Sequence, residues 1–472
     1  MNSPSRVNTA RTQSLEIALR DNLTLEQRLN EETKTESPNT TLRRLLSVRT
    51  VVTTFSSSAE RQQQAVDKNA MLREIGTGSI GKVFEHPGTV YVYKLPLLDD
   101  IQKIWNNYVM NMRIQESFDS CPYVELQAEV PRGYWFAKPD TAAFWEEFLD
   151  RFPFTEQFPR KERAVFCMER IFPLPLPIRN SLVDIFVPLE YRDAVRGSPA
   201  NKDCLVRPIL GRKKYGSSGR FFSLRNFKLH VDQIQELGLN AIDLASSMGH
   251  ALAVLHWHTG IDACDIEFVL GSSPQQEQAV RGVLSLERVQ QLPEGSSTFE
   301  QITHPSPNFK QRVISLWILD FDACTTIKFG KDGVAQAVKA FFDTEPYCPR
   351  PCPDDVFRSQ LWTGFEAYLR FSSIILKGTN KRLDLAELFI RGVEDYVKQR
   401  QVSSSTVPPR TPPVLHGKSG KRESSGGARE ALSSQSIRAG KKSSVGGHRK
   451  NRSFGEDPAS QGSSSGKRHG KK

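Results

Sequence analysis

Gly76-Thr77-Gly78-Ser79-Ile80-Gly81-Lys82-Val83, followed by Val90-Tyr91-Val92-Tyr93-Lys94, is the stretch on which the fold turns. Glycines at its first, third and sixth positions suit a β-hairpin whose backbone N–H groups approach phosphate oxygens with no Cβ in the way. The returning strand carries Lys94, an ammonium placed to meet the same phosphates. Working outward, residues 71–75, 82–85 and 89–95 read as three strands. His86-Pro87-Gly88 turns the second into the third.

Farther along, residues 101–118 predict a helix with Ile101, Ile104, Trp105, Tyr108 and Met112 on one face. The apolar run 164–168 predicts a buried strand ending at Glu169-Arg170, and Pro173, Pro175 and Pro177 mark a link after it. A second helix over 239–256 runs into Gly260-Ile261-Asp262-Ala263-Cys264-Asp265-Ile266-Glu267-Phe268-Val269-Leu270. The strand expected over 313–319 ends in Asp320-Phe321-Asp322, and helices over 333–342, 361–376 and 383–397 follow. Residues 211–219, with Arg212, Lys213 and Lys214, and residues 271–309, rich in Gln, Pro and Ser, read as surface insertions.

Charge is concentrated at one end. Residues 403–472 hold 15 Lys/Arg against 4 Asp/Glu, which is the whole of the chain's +11; the other residues balance at 49 of each. This Gly/Ser-rich segment cannot bury enough apolar surface to fold, and residues 1–66 are polar enough to be mostly disordered as well. The tail's basic clusters (Lys421-Arg422, Lys441-Lys442, Arg449-Lys450-Asn451-Arg452) suit nuclear import and salt-sensitive contact with nucleic acid. Seven cysteines with no C-x-x-C pair suit reduced thiols. With no apolar leader and no membrane-length apolar run, the expectation is a soluble intracellular protein, nuclear or cytoplasmic.

The order of these parts (hairpin, lysine, helix, strand with linker, helix, acidic loop, strand ending in Asp-Phe-Asp) resembles protein kinases and small-molecule kinases of the same fold. The resemblance implies an α+β, divergent protein-kinase-like two-lobed fold. Its small β-rich lobe would span 67–172 and its larger helical lobe 173–402. It also implies a nucleotide site for ATP with Mg²⁺. Gly76, Gly78 and Gly81 would cover the phosphates and Lys94 would pair with them. The segment through Glu169 and Ile171 would be the hinge that binds adenine. Asp320 and Glu267 would hold metal.

At the catalytic loop the pattern departs. Counting from Leu255-His256 places the catalytic aspartate at Asp265, whereas counting back from Phe268-Val269-Leu270 places it at Asp262; both remain open. Neither supplies the expected His or Asn, so Glu267 is the metal-side substitute. Alternatively, both aspartates cap a turn through their own backbone. Asp322 stands where the kinase motif has Gly, and Asn106 and Asn107 stand where a glutamate partner for the lysine is expected.

The run Leu316-Trp317-Ile318-Leu319-Asp320-Phe321-Asp322-Ala323-Cys324, with Pro346-Tyr347-Cys348-Pro349-Arg350-Pro351 and Leu361-Trp362 after it, is similar to an uncharacterised domain family of filamentous fungi often labelled zinc-finger proteins. The closest stretch is 312–377. Cys348-x-x-x-Cys352 lacks the second ligand pair that a structural zinc needs, with only His304 or His256 elsewhere, so zinc is not expected. Two functions follow from these readings. One is nucleotide binding, pseudokinase-like or weakly phosphotransferring. The other is a non-enzymatic nuclear interaction protein whose basic tail touches nucleic acid.

Overall fold

Lys94 lies on a strand with two chemically different faces, and those faces organise the sheet around it. In the computed structural model the described residues are 36–46, 49–53, 70–78, 80–121, 128–214, 222–275, 283–299, 308–378 and 384–405. Helix α1 (Pro38–Leu45) and strand β1 (Arg49–Thr53) precede the glycine hairpin of β2 (Arg73–Thr77) and β3 (Gly81–Glu85). Then come β4 (Tyr91–Pro96), α2 (Ile101–Asp119), β5 (Ala128–Glu129), β6 (Gly133–Ala137), α3 (Ala142–Phe148) and β7 (Val165–Glu169). After these lie α4 (Leu176–Phe186), α5 (Arg192–Gly197), β8 (Val206–Ile209), β9 (Phe227–His230), α6 (Val231–Leu237), α7 (Ala241–Ala253) and β10 (Glu267–Gln275). Helix α8 (Leu286–Gln290), β11 (Asn308–Leu319), α9 (Lys331–Asp343), α10 (Val356–Phe365), α11 (Ala367–Gly378) and α12 (Leu385–Ser405) complete the described order.

The first sheet is antiparallel, β2-β3-β4-β7-β6. Phe84 pairs with Tyr93 and Val83 with Lys94, so the two-residue strand period sends them to opposite faces. Phe84, Tyr93 and Leu95 enter an aromatic cluster with Trp135, Phe144, Phe148 and Phe152. Val83, Val92 and Lys94 line an open cleft on the other side. Helix α2 is capped by the Asp100 carboxylate, which accepts from the Lys103 N–H. It packs Ile104, Trp105, Tyr108 and Met112 against Phe136 and Phe166.

The second sheet runs β1-β11-β10-β8-β9, with β5 added in parallel to β11. It gives the part expected to be mainly helical a strand-built wall facing the cleft. Its centre is the antiparallel β10–β11 pair, which sets Glu267 opposite Leu319 and so brings Asp320 beside Glu267. Strand β10 runs on to Gln275 and β11 starts at Asn308, so part of the expected 271–309 surface insertion is sheet. Gly271 allows this: a Cβ there would stand 2.3 Å from the Ile171 side chain. Ser272 and Phe172 exchange backbone hydrogen bonds of 2.7 and 2.8 Å. Thr298, later in the same segment, is buried and its hydroxyl accepts from the Phe136 N–H at 2.8 Å.

Two other differences concern the ends. Within 1–66, α1 buries Leu42 and Leu45 and β1 pairs with β11, so this part is structured; residues 1–35 and 54–69 lie outside the described residues. Residues 215–219 of the other expected insertion and all but the first three residues of the basic tail also lie outside them. Helix α7 leads into a wider turn over Val254–Thr259, which Gly260 ends with φ +75°. Helices α10 and α11 pack on α7. Among the described residues no helix is long and apolar enough to cross a membrane.

Candidate functional site

The cleft encloses about 1080 Å³, including the part open to solvent, and its walls come from both sheets and α2. Gly76, Gly78, Gly81, Lys94, Glu169, Ile171, Glu267 and Asp320 all line it. Eight of the ten residues singled out from sequence are thus brought to one place.

The three glycines have different reasons to be there. A Cβ on Gly81 would stand 2.4 Å from the Leu95 carbonyl oxygen, so Gly81 is needed for close packing of β3 on β4. A Cβ on Gly76 or Gly78 would meet nothing nearer than 3.8 and 3.9 Å. Their bareness opens the backbone toward the cleft. The hairpin is fastened at its edge: Glu74 accepts from Lys82 Nζ and Thr77 Oγ1, each at 2.6 Å.

Lys94 is buried, and its ammonium donates to Asp320 Oδ1 at 2.8 Å, with Asp322 Oδ1 3.9 Å away. Helix α2 supplies amides where a carboxylate partner was expected. Asn106 Nδ2 donates to the Asp322 carbonyl at 2.9 Å. The Asn107 carboxamide lies against the N–H groups of Phe321 and Asp322; with its oxygen toward them it accepts both at 3.1 Å. That orientation satisfies two backbone donors, where the reverse one gives the oxygen a single 3.4 Å contact from Lys94. The Asp-Phe-Asp loop is therefore held by α2, and Lys94 finds its countercharge inside that loop.

The two aspartates titrate in opposite directions. Burial pushes Asp322 up to about 7, reinforced by its hydrogen bond to Asp320 and by the Asp320 charge. Burial acts on Asp320 the same way, but the Lys94 charge and the hydrogen bonds overcome it, so its pKa is lowered. Asp322 thus binds its proton near neutrality beside an ionised Asp320. Asp320 also adopts φ +68°, and Asp265 and Asn226 take φ +57° and +54°. Left-handed backbone at non-glycine residues is costly and clusters at functional sites.

Asp262 and Asp265 separate cleanly. Asp262 is buried away from the cleft lining and fully engaged. It accepts from the Cys264 N–H (3.2 Å), the Thr325 N–H (2.9 Å), Thr325 Oγ1 (2.6 Å) and Gln336 Nε2 (2.9 Å). Its geometry is that of the turn-capping alternative. Asp265 is exposed; its N–H donates to Thr344 Oγ1 at 2.9 Å, and burial and the Asp320 charge raise its carboxyl. His256, from which the aspartate position was counted, is buried against Tyr368, with Nδ1 3.0 Å from the hydroxyl, and burial lowers it to about 3.

Glu267 forms an ion pair with Arg207 Nη2 at 2.6 Å, and burial raises its carboxyl despite that partner. At the hinge position, Arg170 N–H donates to the Val90 carbonyl and Phe172 N–H to the Ser272 carbonyl. Between them, the Ile171 N–H meets no protein acceptor among the described residues. The Glu169 carboxylate accepts from the Arg132 N–H at 3.1 Å, while burial pushes it up to about 7.

Sequence reading missed Arg207, Asn226 and Asn111, which also line the cleft. Arg207 sits in the short stretch Val206-Arg207-Pro208-Ile209, whose strand pairing depends on distant β10 and offers no local motif.

Residues 316–380 match the model of a domain-of-unknown-function family whose description is "Zinc finger protein", which supports that family label for the segment. No curated protein matches the chain. The thiols of the matched segment have other surroundings. Cys324 is buried and donates to the Cys264 carbonyl, Cys348 is buried with its thiol pushed up by burial, and Cys352 accepts from Arg358 Nη1 at 3.1 Å. Among the described residues no group of three His, Cys, Asp or Glu is placed to hold a metal; His304 lies outside them. Magnesium has a different requirement, one or two carboxylates completed by phosphate oxygens. Asp320 and Asp322, once Asp322 gives up its proton, offer the two carboxylates of that donor set.

Proposed function

We propose that this cleft binds a purine nucleoside triphosphate, with ATP as the reference ligand, in a divergent protein-kinase-like two-lobed fold, and that the protein acts more through binding than through turnover. The pairing of Lys94 with Asp320 beneath the glycine hairpin carries the reading. It sets an ammonium and a metal-binding type of carboxylate against one nucleotide-sized space. The base would lie between Val83, Val92, Val269 and Leu319, with the Ile171 N–H as the free donor for a ring nitrogen. Gly76 and Gly78 would offer backbone N–H groups to the phosphates, and Lys94 a charge. Asp320 with Asp322 would hold Mg²⁺, which when bound neutralises phosphate charge. The family label of residues 316–380 adds no activity to this proposal.

Titrating the full chain with Mg-ATP tests it. Saturable binding is expected, weakened about tenfold or more in Lys94→Ala. Equal binding by both proteins, or none by either, rejects the nucleotide site.

Slow phosphoryl transfer is the second reading, favoured by the exposed, left-handed Asp265, whose carboxyl feels the Asp320 charge. Asp265 would then orient an acceptor hydroxyl, with charge neutralisation supplying the rate. Phosphate release abolished by Asp320→Asn and by Asp265→Asn would establish transfer; its absence in the wild type leaves the binding role. For the chain end, the basic composition of 403–472 supports nuclear import with loose nucleic-acid contact. An unchanged cellular distribution after deleting that segment would refute import.

A further inference from the structure

The wall of the cleft built by β8 carries a cation that the sequence reading does not account for. Arg207 is the half-buried residue of that strand, with Val206 and Pro208 buried on either side. Its Nη2 donates to Glu267 Oε2 at 2.6 Å, while its Nε is buried and has no hydrogen-bond partner among the described residues. The side chain is 16 % exposed and reaches the cleft lining. Its charge also helps to hold the Asp320 carboxyl down. Two cation–carboxylate pairs therefore share one cavity: Lys94 of the first sheet with Asp320 at the end of β11, and Arg207 with Glu267, both of the second sheet.

Glu267 is the residue that would hold a second metal ion. With a guanidinium already on its Oε2, a dication at that carboxylate would be set against a like charge at ion-pair distance. A phosphate group has the opposite effect. It brings a further negative charge to the guanidinium, whose planar set of N–H groups suits phosphate oxygens.

We propose that Arg207 is a phosphate-binding residue of the cleft and stands in place of a second divalent cation. The inference rests on the nucleotide reading of the same cleft. A nucleotide that binds here would carry one metal ion, and its affinity would depend on phosphates reaching the β8 wall.

Calorimetric titration of the full chain with adenosine, AMP, ADP and ATP at saturating Mg²⁺ tests this, using the wild type, Arg207→Gln, Arg207→Lys and Glu267→Gln. Arg207→Gln is expected to weaken ATP about tenfold or more and leave adenosine unchanged, with Arg207→Lys in between. Glu267→Gln, which frees the guanidinium, is expected to keep or tighten ATP binding. Paramagnetic resonance with Mn²⁺ is expected to count one ion per bound ATP. Unchanged ATP affinity in Arg207→Gln, equal losses for adenosine and ATP, a tenfold loss in Glu267→Gln or a second Mn²⁺ overturns the role of Arg207. Failure of the wild type to bind any of the four compounds overturns the nucleotide reading itself, and this inference with it.

Discussion

Lys94 Nζ and Asp320 Oδ1 lie 2.8 Å apart although 226 residues separate them in the chain. The contact joins a strand of the first sheet to the loop that leaves the centre of the second. A buried ammonium requires a countercharge, and here it comes from the Asp-Phe-Asp loop while Asn106 and Asn107 fasten that loop to α2. The lysine is positioned by the loop it neutralises.

Asn107→Leu keeps the approximate volume but strands the N–H groups of Phe321 and Asp322. A loss of about 2 kcal/mol in urea unfolding is expected, together with faster amide hydrogen exchange at residues 320–322. Unchanged exchange there would mean that α2 does not hold the loop.

Gly81→Ala and Gly78→Ala should behave differently. The first puts a methyl group 2.4 Å from the Leu95 oxygen and is expected to destabilise by about 2 kcal/mol. The second has open space and should stay within about 0.5 kcal/mol of the wild type, while weakening ATP in the titration described above. Equal melting temperatures for both variants would refute the packing role of Gly81.

Asp262→Ala removes the acceptor of four hydrogen bonds. The expected cost is about 3 kcal/mol in chemical denaturation, with nucleotide affinity retained per folded molecule. A variant of full stability that has lost phosphate release would instead make Asp262 the chemical residue.

Stability should depend on pH through Glu169. Burial gives this carboxyl a pKa of about 7 in the folded chain, against an ordinary value of 4.5. Such a group favours folding fully below the unfolded value and loses that contribution as pH rises through the folded one. Glu169→Gln is therefore expected to gain on the wild type between pH 4.5 and 7, by on the order of 3 kcal/mol, and to hold a constant lead above. Parallel stability curves across that window would show that Glu169 ionises normally.

Much of the first sheet is legible from local pattern. Alternation in Val92-Tyr93-Lys94-Leu95 and the turn at His86-Pro87-Gly88 are short-range signals, and the hairpin, strand and α2 follow them to within a few residues. The second sheet is less so. Gly271, Ser272 and Ser273 look like loop residues, yet they form the middle of a strand because Ile171 and Phe172 press close to that backbone. Leu42, Leu45 and Leu46 are core through the packing of α1 on α4, far along the chain. Cys348 and Cys352 are close in sequence, but one is buried in the core and the other faces Arg358.

What the order of residues determined by itself was which groups are available: glycines bare enough for a phosphate, a strand-borne ammonium, acidic side chains at two chain reversals, and a neutral body with a cationic end. What only the tertiary structure decided was how those groups divide the work. Asp262 became a turn clamp and Asp265 stayed exposed, since the difference lies in donors contributed by Thr325 and Gln336. Glu267 met Arg207 because β8 and β10 pair. Such choices depend on electrostatic and hydrogen-bond partners from remote segments, and a one-dimensional spacing contains no distance between them.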